Sequence, residues 1–165
     1  MSHMSTVTPA SAALAMSRGK PQGCTNLKLR QLMRRVAQHY DRELAACGLK
    51  TTQYSLLSHV VKLGPIRAVD LAAVMGMSAS TLSRNLQPLM AAGWLTQAPG
   101  ADARSRLISA TADGQAKRSE AQRRWRVAQE GINRLLGVER VLALHALIDE
   151  AMACLSPADG EASGG

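Results

Sequence analysis

Between Ala68 and Leu89, small and apolar residues recur at the intervals needed by two short helices joined at a sharp angle. Leu71 and Ala72 belong to the first helix, expected from about Ala68 to Met75, with Ala72 small enough to let a neighbouring helix approach closely. Gly76 tolerates a left-handed turn residue, and Met77 can plug the angle between the helices. Ser78 suits the N-cap of the second helix, which Leu82, Leu86 and Leu89 would anchor on a core. With those anchors inward, Ser78, Ser80, Thr81, Ser83, Arg84 and Gln87 fall near the outer side, where a recognition helix meets base edges in a major groove. Arg84 can pair bidentately with guanine, and Ser80 and Thr81 can reach phosphates or thymine methyl groups. Taken alone, the same residues also suit the solvated face of an ordinary amphipathic helix. Pro88 lacks an amide hydrogen and is expected to kink the helix, leaving a short N-terminal piece to read bases.

The segment that follows decides between the two readings. Trp94 to Gln97 and Arg106 to Ala110 have strand character, and the turn-rich residues 98–103 between them complete a two-stranded hairpin, the one sheet expected. Its tip carries Arg104 and Arg106, with Asp102 two residues before Arg104. A basic finger beside a recognition helix is a wing: Arg104 could enter the narrow minor groove while Asp102 holds its guanidinium. A solvated loop charge pair is the plainer alternative.

Three more helices are expected around this motif. Leu29, Leu32, Met33, Val36, Tyr40, Leu44 and Cys47 recur at three- and four-residue steps, giving a long amphipathic helix from about Thr25 to Cys47, ended by Gly48. Thr51 or Thr52 can cap the next, which Gly64-Pro65 stops. Thr111-Ala112-Asp113-Gly114 opens a charged helix through about Leu136, and a last helix runs from Val138 to Leu155 with two apolar stripes. Two apolar faces need two packing partners, and a second copy of the chain can supply one of them. The fold class expected is mainly α with a small β-hairpin wing: a winged helix-turn-helix lobe over residues 50–110, with dimerisation helices over 23–47 and 111–155 in a single domain, 23–155. Residues 1–22 read as a disordered arm, with 1–3 resembling a cloning remnant, and 156–165 as a flexible tail.

Bulk properties agree. The net charge of +8 calls for an anionic partner. The charge is concentrated, since Lys50, Lys62, Arg67, Arg84, Arg104 and Arg106 face only Asp70 and Asp102 across positions 48–106. Aromatic residues are 2% of the chain and Phe is absent, so the core is left to Leu, Val, Ala and Met, a palette that favours helices. No phosphate loop, nucleophile elbow or His-Glu-x-x-His pair occurs, so no enzyme is expected. Four histidines on separate elements and three scattered cysteines suggest neither a metal site nor a cofactor, and a reducing cytoplasm is the natural compartment. No apolar run is long enough for a membrane span. A winged helix that has lost DNA binding and serves as a protein-interaction module should lack Arg84, Arg104 and Arg106.

Across residues 24–155 the chain resembles the multiple-antibiotic-resistance regulator (MarR) family, a bacterial family. The resemblance rests on Gly48 to Tyr54, on Leu71-Ala72 through Met77 to Arg84, on Gly93-Trp94-Leu95, on Asp102-Ala103-Arg104-Ser105-Arg106 and on Thr111 to Gly114. It implies a homodimer joined by its first and last two helices, binding double-stranded DNA at a pseudo-palindromic operator, usually as a repressor released by a small molecule or by thiol oxidation. Asp102 and Arg104 match the family's Asp-x-Arg wing element, whereas Pro88 departs from its recognition helix.

The resemblance also implies a site for a phenolic or aromatic carboxylic effector where the first, second and fifth helices meet. Arg34 lies near the matching position and could clamp a carboxylate, with Gln31, Thr51 or His59 as neighbours; Arg34 equally suits a solvated basic face. The alternative switch is Cys24, close to the start of the first helix, where the helix dipole favours a thiolate. Cys47 and Cys154, on apolar faces, are expected as core thiols.

Overall fold

The structure, a computed structural model, describes residues 21–100 and 105–155. Its elements in chain order are α1 (Thr25–Leu44), a 3-10 turn (Ala45–Cys47), α2 (Thr51–Leu63), β1 (Ile66–Arg67), α3 (Ala68–Val74), α4 (Ala79–Ala91), β2 (Leu95–Pro99), β3 (Arg106–Ala110), α5 (Ala112–Leu136) and α6 (Val138–Leu155). The expected class, mainly α with a small antiparallel sheet, is what forms. The expected arm falls mostly outside the described residues, as do the tail, Asp102 and Arg104.

The described residues divide into two compact units, one within residues 31–131 and one of residues 21–30 with 132–155. In the first, Leu44, Leu56, Leu57, Val60, Leu71, Leu82, Leu89 and Ile108 are fully buried, and Ala121 of α5 joins them. These are the apolar positions of amphipathic helices turned onto one core. In the second unit, α6 buries Val141 but leaves Leu142, Leu147, Ile148, Met152 and Leu155 exposed, Leu155 by 83%.

The sheet differs from the expected hairpin. It has three strands in the order β1-β3-β2, all antiparallel, with Ile66 opposite Ile108 and Arg67 opposite Leu107 in the added pair. In the hairpin itself Leu95 faces Ala110 and Pro99 faces Arg106. A strand of two residues is too short to show alternation, which is why β1 leaves no periodic signal.

Helix boundaries show where backbone groups find partners. The first long helix ends at Leu44 and tightens into the 3-10 turn, with Gly48 at φ 72° closing it. Neither Thr51 nor Thr52 caps α2; Lys50 stands at the cap position, its amide donating to Gln53 Oε1 at 2.9 Å. Thr51 is instead the first helical residue, and its own amide is taken by Asp41 of α1 at 2.7 Å. Gly64 ends α2 with its amide on the Val60 carbonyl at 2.8 Å, in a space where a Cβ would meet that oxygen at 2.6 Å.

Candidate nucleic-acid interface

The angle between α3 and α4 is set by a closed pair of backbone hydrogen bonds. Met77 N donates to Ala72 O at 2.9 Å, and Gly76 N donates to Ala73 O at 3.1 Å, the paired pattern that ends a helix on a left-handed residue. Gly76 supplies that conformation at φ 61°. Met77 then turns onto the core, with its sulfur 3.8 Å from Asn85 Nδ2. The same device ends α4, where Gly93 N donates to Met90 O and Trp94 N to Leu89 O, both at 3.0 Å.

Ser78 caps α4 as its sequence position suggests: its Oγ accepts from Thr81 N at 3.2 Å, donates to Thr81 Oγ1 at 2.9 Å and lies 3.1 Å from Ser80 Oγ. The cap, Ser80, Thr81, Ser83, Arg84 and Gln87 are all exposed, while Leu82, Leu86 and Leu89 are buried. The helix continues through Pro88 to Ala91 as one element, so Pro88 does not divide it. What Pro88 does is withhold a donor from the carbonyl of Arg84, four residues earlier.

A groove of about 780 Å³ runs between the start of α3, the outer side of α4 and the sheet. Ser83 and Gln87 from α4 line it together with Arg106 from β3. Ser78, Ser80, Thr81 and Arg84 lie on the exposed surface of α4 outside this lining. Arg67, counted in the sequence only as part of the basic middle third, also lines the groove; Asp70 holds it through Nε at 2.7 Å and Nη2 at 2.9 Å. The Arg-x-x-Asp spacing of Arg67 and Asp70 was a usable signal for this pair.

A second cavity, about 410 Å³, opens between α1, α2 and α5. Trp125 of α5 stacks with Tyr54 of α2 at a centroid distance of 6.2 Å and meets Tyr40 of α1 at 6.4 Å. The Tyr40 hydroxyl donates to Gln129 Oε1, and burial pushes the Tyr40 pKa above its ordinary value. Of the proposed effector contacts, Thr51 and His59 line the cavity, whereas Gln31 and Arg34 are exposed on α1 and do not. Cys24 is exposed just before α1. Cys47 is buried, its thiol donating to Leu44 O at 3.1 Å, but Cys154 is exposed on α6 and is not a core thiol within this chain.

Among the described residues, no group of three or more His, Cys, Asp and Glu side chains could hold a metal ion, and no helix is long and apolar enough to cross a membrane.

Comparison with known proteins gives these elements a lineage. Residues 48–105 match the model of the MarR family. The structure of the M. tuberculosis transcriptional regulator MosR in complex with DNA shares 34% identity with this chain, covering 81% of it and 99% of MosR at a TM-score of 0.67. An uncharacterised HTH-type transcriptional regulator of Bacillus subtilis, YwoH, is 26% identical over 93 residues, which are 56% of this chain and 68% of YwoH. A mutant of MarR from E. coli, complexed with operator DNA, superposes with a TM-score of 0.70 at 18% identity, over 77% of this chain and 92% of that one, which speaks to the fold alone. These relatives are transcription regulators rather than enzymes. With 34% identity over the aligned residues to a regulator it spans almost end to end, and with the helix-turn-helix segment matching the family model, the chain belongs to the MarR family.

Proposed function

We propose that this chain is a DNA-binding transcription regulator acting in the bacterial cytoplasm as a homodimeric repressor, released from its operator by a small aromatic ligand. The observation that carries the DNA reading is the convergence of Ser83 and Gln87 of α4 with Arg106 of β3 on one groove, beside the exposed Arg84 and the Ser78 cap. Such a surface offers a base-reading helix and a basic strand end to adjacent parts of a duplex. The complex of MosR with DNA supports the same reading. Arg104 and Asp102, which lie outside the described residues, are expected as further contacts.

A second copy of the chain is the proposed cover for the apolar residues that α6 leaves exposed, Leu142 by 63% among them. Two copies would present two α4 helices to a pseudo-palindromic site. The cavity between α1, α2 and α5 supports the release step, because a ligand held by three helices can change the separation of two recognition helices without melting either. The rival trigger, oxidation of Cys24, has the exposure of that thiol in its favour.

The test is binding of the purified protein to the DNA upstream of its own gene, with aromatic compounds and peroxide added in separate arms. Preference for that DNA over random fragments, with release by an aromatic compound, is the expected result. Equal affinity for both DNAs overturns the regulator reading; release by peroxide that Cys24→Ser abolishes replaces the ligand with the thiol.

A further inference from the structure

Building on the ligand-responsive reading, we infer that the cavity between α1, α2 and α5 selects an uncharged planar aromatic molecule and rejects an aromatic carboxylate. Its walls are the rings of Tyr40, Tyr54 and Trp125, together with Met33 and Val36. A cavity of about 410 Å³ with three aromatic side chains in its lining suits a flat molecule of one or two fused rings.

The polar groups at the wall decide the charge. No Lys, Arg, Asp or Glu is among the described residues that line the cavity. Arg34, the cation that a carboxylate would need, is exposed on α1 and outside the lining. The Thr51 hydroxyl is already committed to Asp41 Oδ1 at 2.6 Å, so the charge nearest the Thr51 wall is itself negative. The Tyr40 hydroxyl is committed to Gln129. His59 Nδ1 lies 2.8 Å from the Ser55 carbonyl, which can only accept, so Nδ1 carries a proton and Nε2 is the nitrogen left to accept in the uncharged tautomer. Ser58 Oγ is buried without a hydrogen-bond partner.

An entering carboxylate would exchange its water for aromatic faces, a histidine acceptor and a neighbouring carboxylate, with no cation to compensate. An amide or hydroxyl of the same shape loses far less water and can donate to His59 Nε2. The cavity therefore favours a neutral ligand with a hydrogen-bond donor at its edge.

The test uses two probes of nearly equal shape, 2-naphthamide and 2-naphthoate, titrated calorimetrically into the DNA-free protein at about pH 8, where carboxylic acids are ionised. The amide is expected to bind at least about tenfold more tightly. Met33→Lys, at a position 66% exposed on the rim, is expected to narrow or reverse that preference by supplying the missing cation without disturbing the core. Equal or tighter binding of the naphthoate overturns the inference while leaving a ligand-responsive cavity in place. Failure of both probes to bind overturns the inference and the ligand-responsive reading together. A preference that Met33→Lys leaves unchanged shows that the selection arises elsewhere and overturns the assignment to this cavity.

Discussion

Asp41 and Thr51 are joined twice: Asp41 Oδ1 accepts from the Thr51 amide at 2.7 Å and from the Thr51 hydroxyl at 2.6 Å. The first contact satisfies an amide that α2 cannot pair within itself, and it does so with a carboxylate near the positive end of that helix. The second orients the Thr51 side chain along the wall of the aromatic cavity. A single oxygen thereby fixes α1 to the start of α2.

Asp41→Ala leaves both donors of this half-buried joint without their acceptor. The expected loss of stability is about 1–3 kcal/mol. Asp41→Asn retains an acceptor oxygen and is expected to lose less. Urea denaturation of the three proteins measures the order, and an unchanged midpoint for Asp41→Ala would refute the importance of the joint.

Two glycines separate conformational strain from lack of space. Gly76 sits at φ 61° with nothing within 4 Å of where a Cβ would stand, so Gly76→Ala carries only the backbone cost of a left-handed residue, about 1–2 kcal/mol. At Gly114 the backbone is ordinary, but a Cβ would stand 1.9 Å from the Trp94 carbonyl oxygen. That contact lies at the joint where Thr111 Oγ1 donates to Gly93 O at 2.6 Å and Thr111 N donates to Trp94 O at 3.1 Å. Gly114→Ala must part the start of α5 from the turn that joins α4 to β2, and is expected to destabilise more than Gly76→Ala in the same thermal unfolding experiment. The reverse order would sink this reading of the joint.

The helices were legible because their information is local. The three-residue and four-residue steps of α1, the Ser78 cap and the Gly76 turn each lie within one or two helical turns of the groups they serve. What escaped was non-local. The Asp41–Thr51 joint spans ten positions and crosses between helices, so Thr51 looked like a cap when it is the residue being capped. β1 exists only because β3 offers it an edge. The aromatic cavity left a trace that sequence reasoning passed over: in a chain with two Trp, two Tyr and no Phe, three of those four side chains meet at one place. Arg34 suits a carboxylate clamp by residue type, and helical position alone does not turn it away from the cavity.

Tyr40 makes stability depend on alkaline pH. Its pKa is raised by burial, so the unfolded chain loses this proton at a lower pH than the folded chain does. The contribution is complete below the unfolded tyrosine pKa, about 10, and is lost as pH rises through the folded value. Melting temperatures measured between about pH 9 and 11 are therefore expected to fall more steeply for the native protein than for Tyr40→Phe. Parallel curves would show that Tyr40 titrates alike in both states.

Arg84 and Arg106 are both exposed, yet they serve the proposed interface differently. In the proposed complex α4 would enter the major groove, so Arg84→Ala is expected to reduce the preference for operator over random DNA by about 1–3 kcal/mol, the worth of one base-pair contact. Arg106 stands at the start of β3, opposite Pro99, and in the proposed complex that strand end would approach the sugar-phosphate backbone. Arg106→Ala should weaken binding to operator and random DNA alike, and lower the slope of log affinity against log salt by about 0.9 for each phosphate contact removed. Fluorescence anisotropy on both DNAs across a salt series separates the two effects. If Arg84→Ala changes the salt slope and leaves discrimination intact while Arg106→Ala does the opposite, the roles of helix and wing must be exchanged.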